Sequence, residues 1–214
     1  EFRRVLFRSG IDASSEGDTI FVTEGTYSPS TNEENFPIIM KSNVNIIGSG
    51  EEVTILDAEQ TDRVITMENC TNNTISNLTI TNGNTSDGGG GMYLAESNPT
   101  LTHVTISDNI GVNGGGGMML GEGILSDLPS HPTLTHVTIS GNTTASVGGG
   151  ISAEYAWSSH LTLTHVTIVN NMAGIGGGMY LRSSTLTHVT ISGNTAESYG
   201  GGMHLNNSNP ILTH

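Results

Sequence analysis

The sequence predicts an all-β solenoid, one chain wound into stacked turns of 23–33 residues. Two observations carry that expectation. The phrase LTHVTIS recurs almost unchanged at 101–107, 134–140, 163–169 (as LTHVTIV) and 186–192, with a cousin, ISNLTIT, at 75–81. Each copy is answered by a glycine run that feeds a short apolar stretch: GGGGMYL at 88–94, GGGGMML at 114–120, GGGISAE at 148–154, GGGMYLR at 176–182 and GGGMHLN at 200–206. Repetition this regular decides an architecture before any other feature.

The third letter of the repeat falls at Asn77, His103, His136, His165, His188 and His214, at intervals of 26, 33, 29, 23 and 26 residues. Helical-hairpin repeats need two amphipathic segments in that length, and no window shows a 3.6-residue period. Within a copy, Val104 and Ile106 alternate with Thr105 and Ser107, giving one apolar and one hydroxylated face. Leu101 is also apolar but lies three before Val104, so the chain must bend at His103. Asn and His are enriched at positive φ, which such a bend requires. A second corner follows at Asn109, Asn142, Asn171 and Asn194. The glycine run then turns the backbone before Met92/Leu94, Met118/Leu120, Met179/Leu181 and Met203/Leu205 point inward again.

Ahead of the repeat, IFV (20–22), PIIM (37–40), VNIIG (44–48), TILDA (54–58) and VITM (64–67) are short β-branched runs closed by Gly, Asn, Asp or Pro, and read as strands. A polar loop is expected over 28–35. Residues 1–9, EFRRVLFRS, hold three basic residues and no Gly, Asn or Thr; they read as a non-native scar, with a short cap strand as the alternative. The domain then runs over 10–214, and the closing LTH at 212–214 reads as a turn cut midway, in a protein that continues. Two insertions, 121–132 and 153–160, fall at one corner, between the glycine-led strand and the TLT strand. Loops leaving repeatedly from one corner often form a binding face.

Composition narrows the partners. With 20 Asp and Glu against 6 Lys and Arg, the net charge of −14 argues against nucleic acid and anionic membrane. The single Cys70 rules out an internal disulfide framework and reads as a small core residue. No apolar run reaches the ~20 residues of a membrane helix.

The opening GDTIFVTEGTY and the cycle NPTLTHVTISDN–GGGGMYL resemble the right-handed parallel β-helix repeat family, the pectin-lyase-like superfold, over roughly residues 10–214. They are similar to the tandem form of large secreted or surface-anchored bacterial proteins and to polymorphic outer-membrane protein repeats. The resemblance implies a right-handed parallel β-helix at the cell surface or outside the cell. It decides less about chemistry, because the superfold hosts lyases, hydrolases, adhesins and stalks alike. The family's usual letter at the bend is Asn, as at Asn77; here every later copy carries His.

Polysaccharide lyases of this type use an acidic calcium cluster and an Arg or Lys base. Past residue 9 the cations are Lys41, Arg63 and Arg182, and the nearest approach to such a site is Asp57 and Asp62 about Arg63. Hydrolases converge several aspartates, whereas Asp87, Asp108 and Asp127 fall in separate corners. No residue is therefore assigned a catalytic, metal or cofactor-binding role.

Three features keep alternative readings open. The histidines should stack about 4.8 Å apart, the inter-strand spacing; they read as bend residues, with metal ligation as the alternative. The pairs Thr100/Thr102, Thr133/Thr135, Thr162/Thr164 and Thr185/Thr187 resemble an ice-binding array, or are ordinary residues of exposed strands. Tyr155 and Trp157 suit a sugar-stacking platform or a covered corner. The sequons at Asn69, Asn72, Asn77, Asn84 and Asn142 matter only in a eukaryotic secretory host. The expected function is a non-catalytic scaffold or adhesive stalk contacting a glycan or another surface through the corner loops. The alternatives are a polysaccharide lyase or hydrolase with catalytic turns outside this sequence, and ice binding.

Overall fold

The computed structural model describes residues 7–121, 128–154, 159–206, 208 and 210–213. All its ladders are parallel, and successive turns pair in register. A 12-stranded sheet carries the LTHVTIS strands, Thr74–Thr81, Thr100–Ser107, Thr133–Ser140, His160–Thr164 with Thr167–Val169, and Ser183–Thr187 with Thr190–Ser192. A 7-stranded sheet carries the glycine-led strands, from Ile38–Ile39 through Met92–Ala95 and Met118–Gly121 to Met203–Leu205. Short pairs, Asn84–Thr85 with Ile110–Gly111 and Met172–Ile175 with Thr195–Tyr199, close the third side.

The bend needed between Leu101 and Val104 is made by His103 at φ 53°, and at the same place by Asn77, His136, His165 and His188 at 56°, 52°, 53° and 52°. One left-handed residue puts two outward side chains in succession, so Leu, Val and Ile on either side of it all reach the interior. Leu101, Val104, Ile106, Leu134, Ile139, Leu163, Ile168, Met92, Leu94, Met118 and Leu120 join one continuous buried cluster. A single turn buries too little apolar surface to offset its own ordering, so neighbouring turns must share this core.

Two polar ladders run inside the stack. Asn109, Asn142 and Asn171, expected only as corner residues, are buried and point inward. The Asn142 Oδ1 accepts from Asn109 N–H and from its Nδ2 (3.0 Å each), while Asn142 Nδ2 donates to Ile106 O at 2.9 Å. Asn171 and Asn194 repeat the pattern. At the corner carrying the insertions, Ser97, Ser130 and Ser159 form a second chain, in which each backbone N–H meets the next hydroxyl. Cys70 N–H donates to Ser97 Oγ at 3.0 Å. Cys70 is buried, as expected, and burial pushes its thiol pKa up.

The N-terminal end holds two short helices that the sequence did not lead one to expect. Residues 7–9 open a seven-residue helix, Phe7–Ala13, where a strand was the alternative. Phe7 and Ile11, one helical turn apart, lie buried on the core, and the Glu34 carboxylate accepts from the N–H groups of Phe7 and Arg8. The 28–35 loop contains a short helix, Pro29–Asn32, capped by Ser28. Both helices are too short to leave a periodic signal, and their anchors are distant in sequence.

Candidate functional site

The outward side of the long sheet forms five in-register columns. Thr74, Thr100, Thr133, Thr162 and Thr185 make the first, and Ser76, Thr102, Thr135, Thr164, Thr187 and Thr213 the second. The bend residues are the third. Thr79, Thr105, Thr138, Thr167 and Thr190 are the fourth, and Thr81, Ser107, Ser140, Val169 and Ser192 the fifth. The alternation that buries Leu, Val and Ile makes this exterior hydroxylated.

The histidine ladder is formed as the repeat implies. Ring centroids of His103–His136, His136–His165 and His165–His188 lie 4.9, 5.0 and 4.7 Å apart, with planes within 4–6° of parallel. Two imidazoles on one zinc bring their nitrogens within about 4.2 Å, twice the ~2.1 Å bond. Parallel rings nearly 5 Å apart do not converge that far. Among the described residues no group of three or more His, Cys, Asp or Glu is arranged to hold a metal. At the first histidine of the ladder, Glu51 Oε1 lies 3.8 Å from His103 Nδ1.

The three cations past residue 9 are engaged with backbone oxygens. Lys41 Nζ reaches Asp12 O and Ser14 O at 2.8 and 3.1 Å, tying down the end of the first helix. Arg63 donates to Gly89 O (2.8 Å) and Gly88 O (2.7 Å) and lies 4.8 Å over the Tyr93 ring. Burial pushes its guanidinium pKa down, opposed by Asp87 and Asp62. Arg182 donates to Glu154 O at 2.7 Å. Asp57 accepts from Glu59 N–H and Asn82 Nδ2, and Asp62 accepts from Arg63 N–H, so neither carboxylate faces the other across an open site. Asp87 and Asp108 lie at different corners, both exposed; Asp127 is outside the described residues.

Of the two insertions, 122–127 and 155–158 with Tyr155 and Trp157 lie outside the described residues. Their roots are fixed. Ser130 and Ser159 are buried, and His160 N–H donates to His131 Nδ1 at 3.0 Å. The His160 ring bonds Ser183 Oγ (3.0 Å) and Thr185 Oγ1 (2.9 Å), joining the second insertion to the hydroxyl face. This link was not read from the sequence, where the position of His160 one letter ahead of LTLT was its only signal. Asn142, a sequon residue, is buried in the asparagine ladder.

Parallel turns, an internal asparagine ladder and outward columns of stacked like residues define a parallel β-helix. The family model for the right handed beta helix region matches residues 38–214, and the chain belongs to that family. No curated protein and no solved structure matches the chain.

Proposed function

We propose that this β-helix is a non-catalytic scaffold of a secreted or surface-displayed bacterial protein, holding its corner insertions against an extracellular glycan or another surface. One observation carries the reading. Lys41, Arg63 and Arg182, the basic residues past residue 9, hold backbone carbonyls and support the coil. A lyase needs such a group aimed at substrate beside bound calcium.

A uronate-release assay on polygalacturonate tests it. The expected result is no product with or without added calcium. Release that Arg63→Ala or Lys41→Ala abolishes, with circular dichroism unchanged, replaces the scaffold with a lyase. Replacing 122–127 and 155–158 by Gly-Ser linkers is expected to abolish glycan-array binding while leaving the melting temperature within a few degrees. A second reading, ice binding, draws on the paired threonine columns, whose rungs match over Thr100/Thr102, Thr133/Thr135, Thr162/Thr164 and Thr185/Thr187. An ice-recrystallisation assay decides it, with Thr135→Lys and Thr164→Lys as the variants that must remove any activity.

A further inference from the structure

The chain contains two Asn-Gly pairs, Asn82-Gly83 and Asn113-Gly114. An asparagine ahead of glycine is open to attack by its own backbone. The next amide nitrogen reaches the side-chain carbonyl through a five-membered ring, and glycine has no Cβ to shield that nitrogen. The fold treats the two pairs differently. Asn82 is left-handed at φ 54°, its Nδ2 donates to Asp57 Oδ1 at 3.0 Å, and its carbonyl accepts from Gln60 N–H at 2.7 Å. The nitrogen that would attack it, Gly83 N, donates to Asn109 Oδ1 at 2.8 Å within the internal asparagine ladder.

Asn113 is exposed, in a turn between Ile110–Gly111 and Met118–Gly121. Its Nδ2 donates to Ser86 O at 3.0 Å on the solvent side, where water can replace the bond. Among the described residues none accepts from the Gly114 N–H. Gly114 stands at φ 129°, a conformation that side chains rarely adopt, so this corner calls for glycine directly after the asparagine.

We propose that Asn113 is a self-modification site, which loses its amide spontaneously in the folded protein while Asn82 is protected. Gly114 N gives up its proton to solvent base and bonds to Asn113 Cγ. The Cγ–Nδ2 bond breaks, and Nδ2 takes up a proton and leaves as ammonia. Water then opens the succinimide at either carbonyl, giving an aspartyl or an isoaspartyl residue. One water is consumed and one ammonia released, with no change of oxidation state. Asn113 N–H donates to Asp87 O at 3.1 Å, so the new carboxylate stands one rung from Asp87. The cleft it joins is lined by Arg63, Glu68, Asp87 and Tyr93. That corner therefore grows more acidic as the molecule ages, whether or not the coil is a scaffold.

The test is incubation of the full chain, folded and in parallel unfolded in guanidinium chloride, at pH 7 and pH 8.5. Conversion at each pair is read by mass-spectrometric peptide mapping, and released ammonia is assayed. Freeing a buried N–H from its acceptor lowers the reactive population roughly five- to a hundredfold, and Asn113 is expected to outpace Asn82 by that factor in the folded chain. In guanidinium the two pairs should react at similar rates. The folded rate at Asn113 should rise with pH, because the attacking nitrogen must first lose its proton. Asn113→Gln should remove most of the ammonia released by the folded chain.

Equal rates at the two pairs in the folded chain, or faster conversion at Asn82, overturns the proposal. So does an intact Asn113 over a period in which the unfolded chain converts fully, or ammonia release that Asn113→Gln leaves unchanged. A difference between the pairs that persists in guanidinium overturns it too, since the fold would then not set the rates. If Asn113→Gln melts early, the site-resolved maps of the parent chain decide alone.

Discussion

At the scale of single residues, the internal amides matter more than their exposed neighbours. Asn142→Ala strands the backbone N–H of Asn109 and one N–H of its side-chain amide, both inside the stack. Each buried orphan costs roughly 1–3 kcal/mol, so the loss is expected at about 2–6 kcal/mol and appears as a lowered denaturation midpoint. Cys70 makes a different prediction. Desolvation raises its pKa in the folded chain above the ordinary thiol value. The unfolded thiol therefore ionises first as pH climbs, and stability present below the ordinary thiol range is lost as pH rises through it. A melting series from pH 8 to 10.5 should fall more steeply for the parent than for Cys70→Ala. Ellman's reagent should label Cys70 only as the chain unfolds.

At the scale of the element, the glycine-led strands tolerate no side chain where turns touch. A Cβ on Gly150 would stand 2.6 Å from Gly178 O, a backbone atom with no room to withdraw. Gly150→Ala should cost about 1–3 kcal/mol or more. Gly10 gives the contrast: it sits within the helix Phe7–Ala13, where a Cβ meets Ile20 Cγ2 at 3.4 Å. Gly10→Ala should stabilise by up to ~1 kcal/mol, read as a higher thermal midpoint.

These elements also show what the sequence discloses. The bend at His103 was legible because inward Leu101 and Val104 are three apart, and only a left-handed residue reconciles that spacing. Cys70 and the pairs Met92/Leu94, Met118/Leu120 and Met179/Leu181 were legible as core through parity or polarity, whereas Leu205, also expected inside, is exposed on one of the last rungs. Asn109 and Asn142 were not legible as interior residues, since an asparagine suits an exposed corner equally well; only the rungs above and below supply its partners. The partners of Arg63 were hidden for the same reason, being carbonyls of Gly88 and Gly89 some 25 residues on. The capping helix depends on Glu34, beyond the reach of any local pattern.

At the scale of the whole molecule, burial is deeper in the middle turns than on the last rungs. Ile106 and Ile139 are fully enclosed, whereas Leu205 and Leu212 on the last rungs are 38% and 60% exposed. Amide exchange should be slowest along Thr100–Ser107 and Thr133–Ser140 and quicken towards Ile211–Thr213. Uniform protection from end to end would contradict a stack whose turns contact only their neighbours.

Because the backbone bonds joining one coil to the next lie along the long axis, tension applied to the two termini falls on one coil at a time. A single molecule stretched by an atomic-force cantilever should therefore yield as a sawtooth. Coils of 23–33 residues at ~3.5 Å per residue would release roughly 8–12 nm with each tooth.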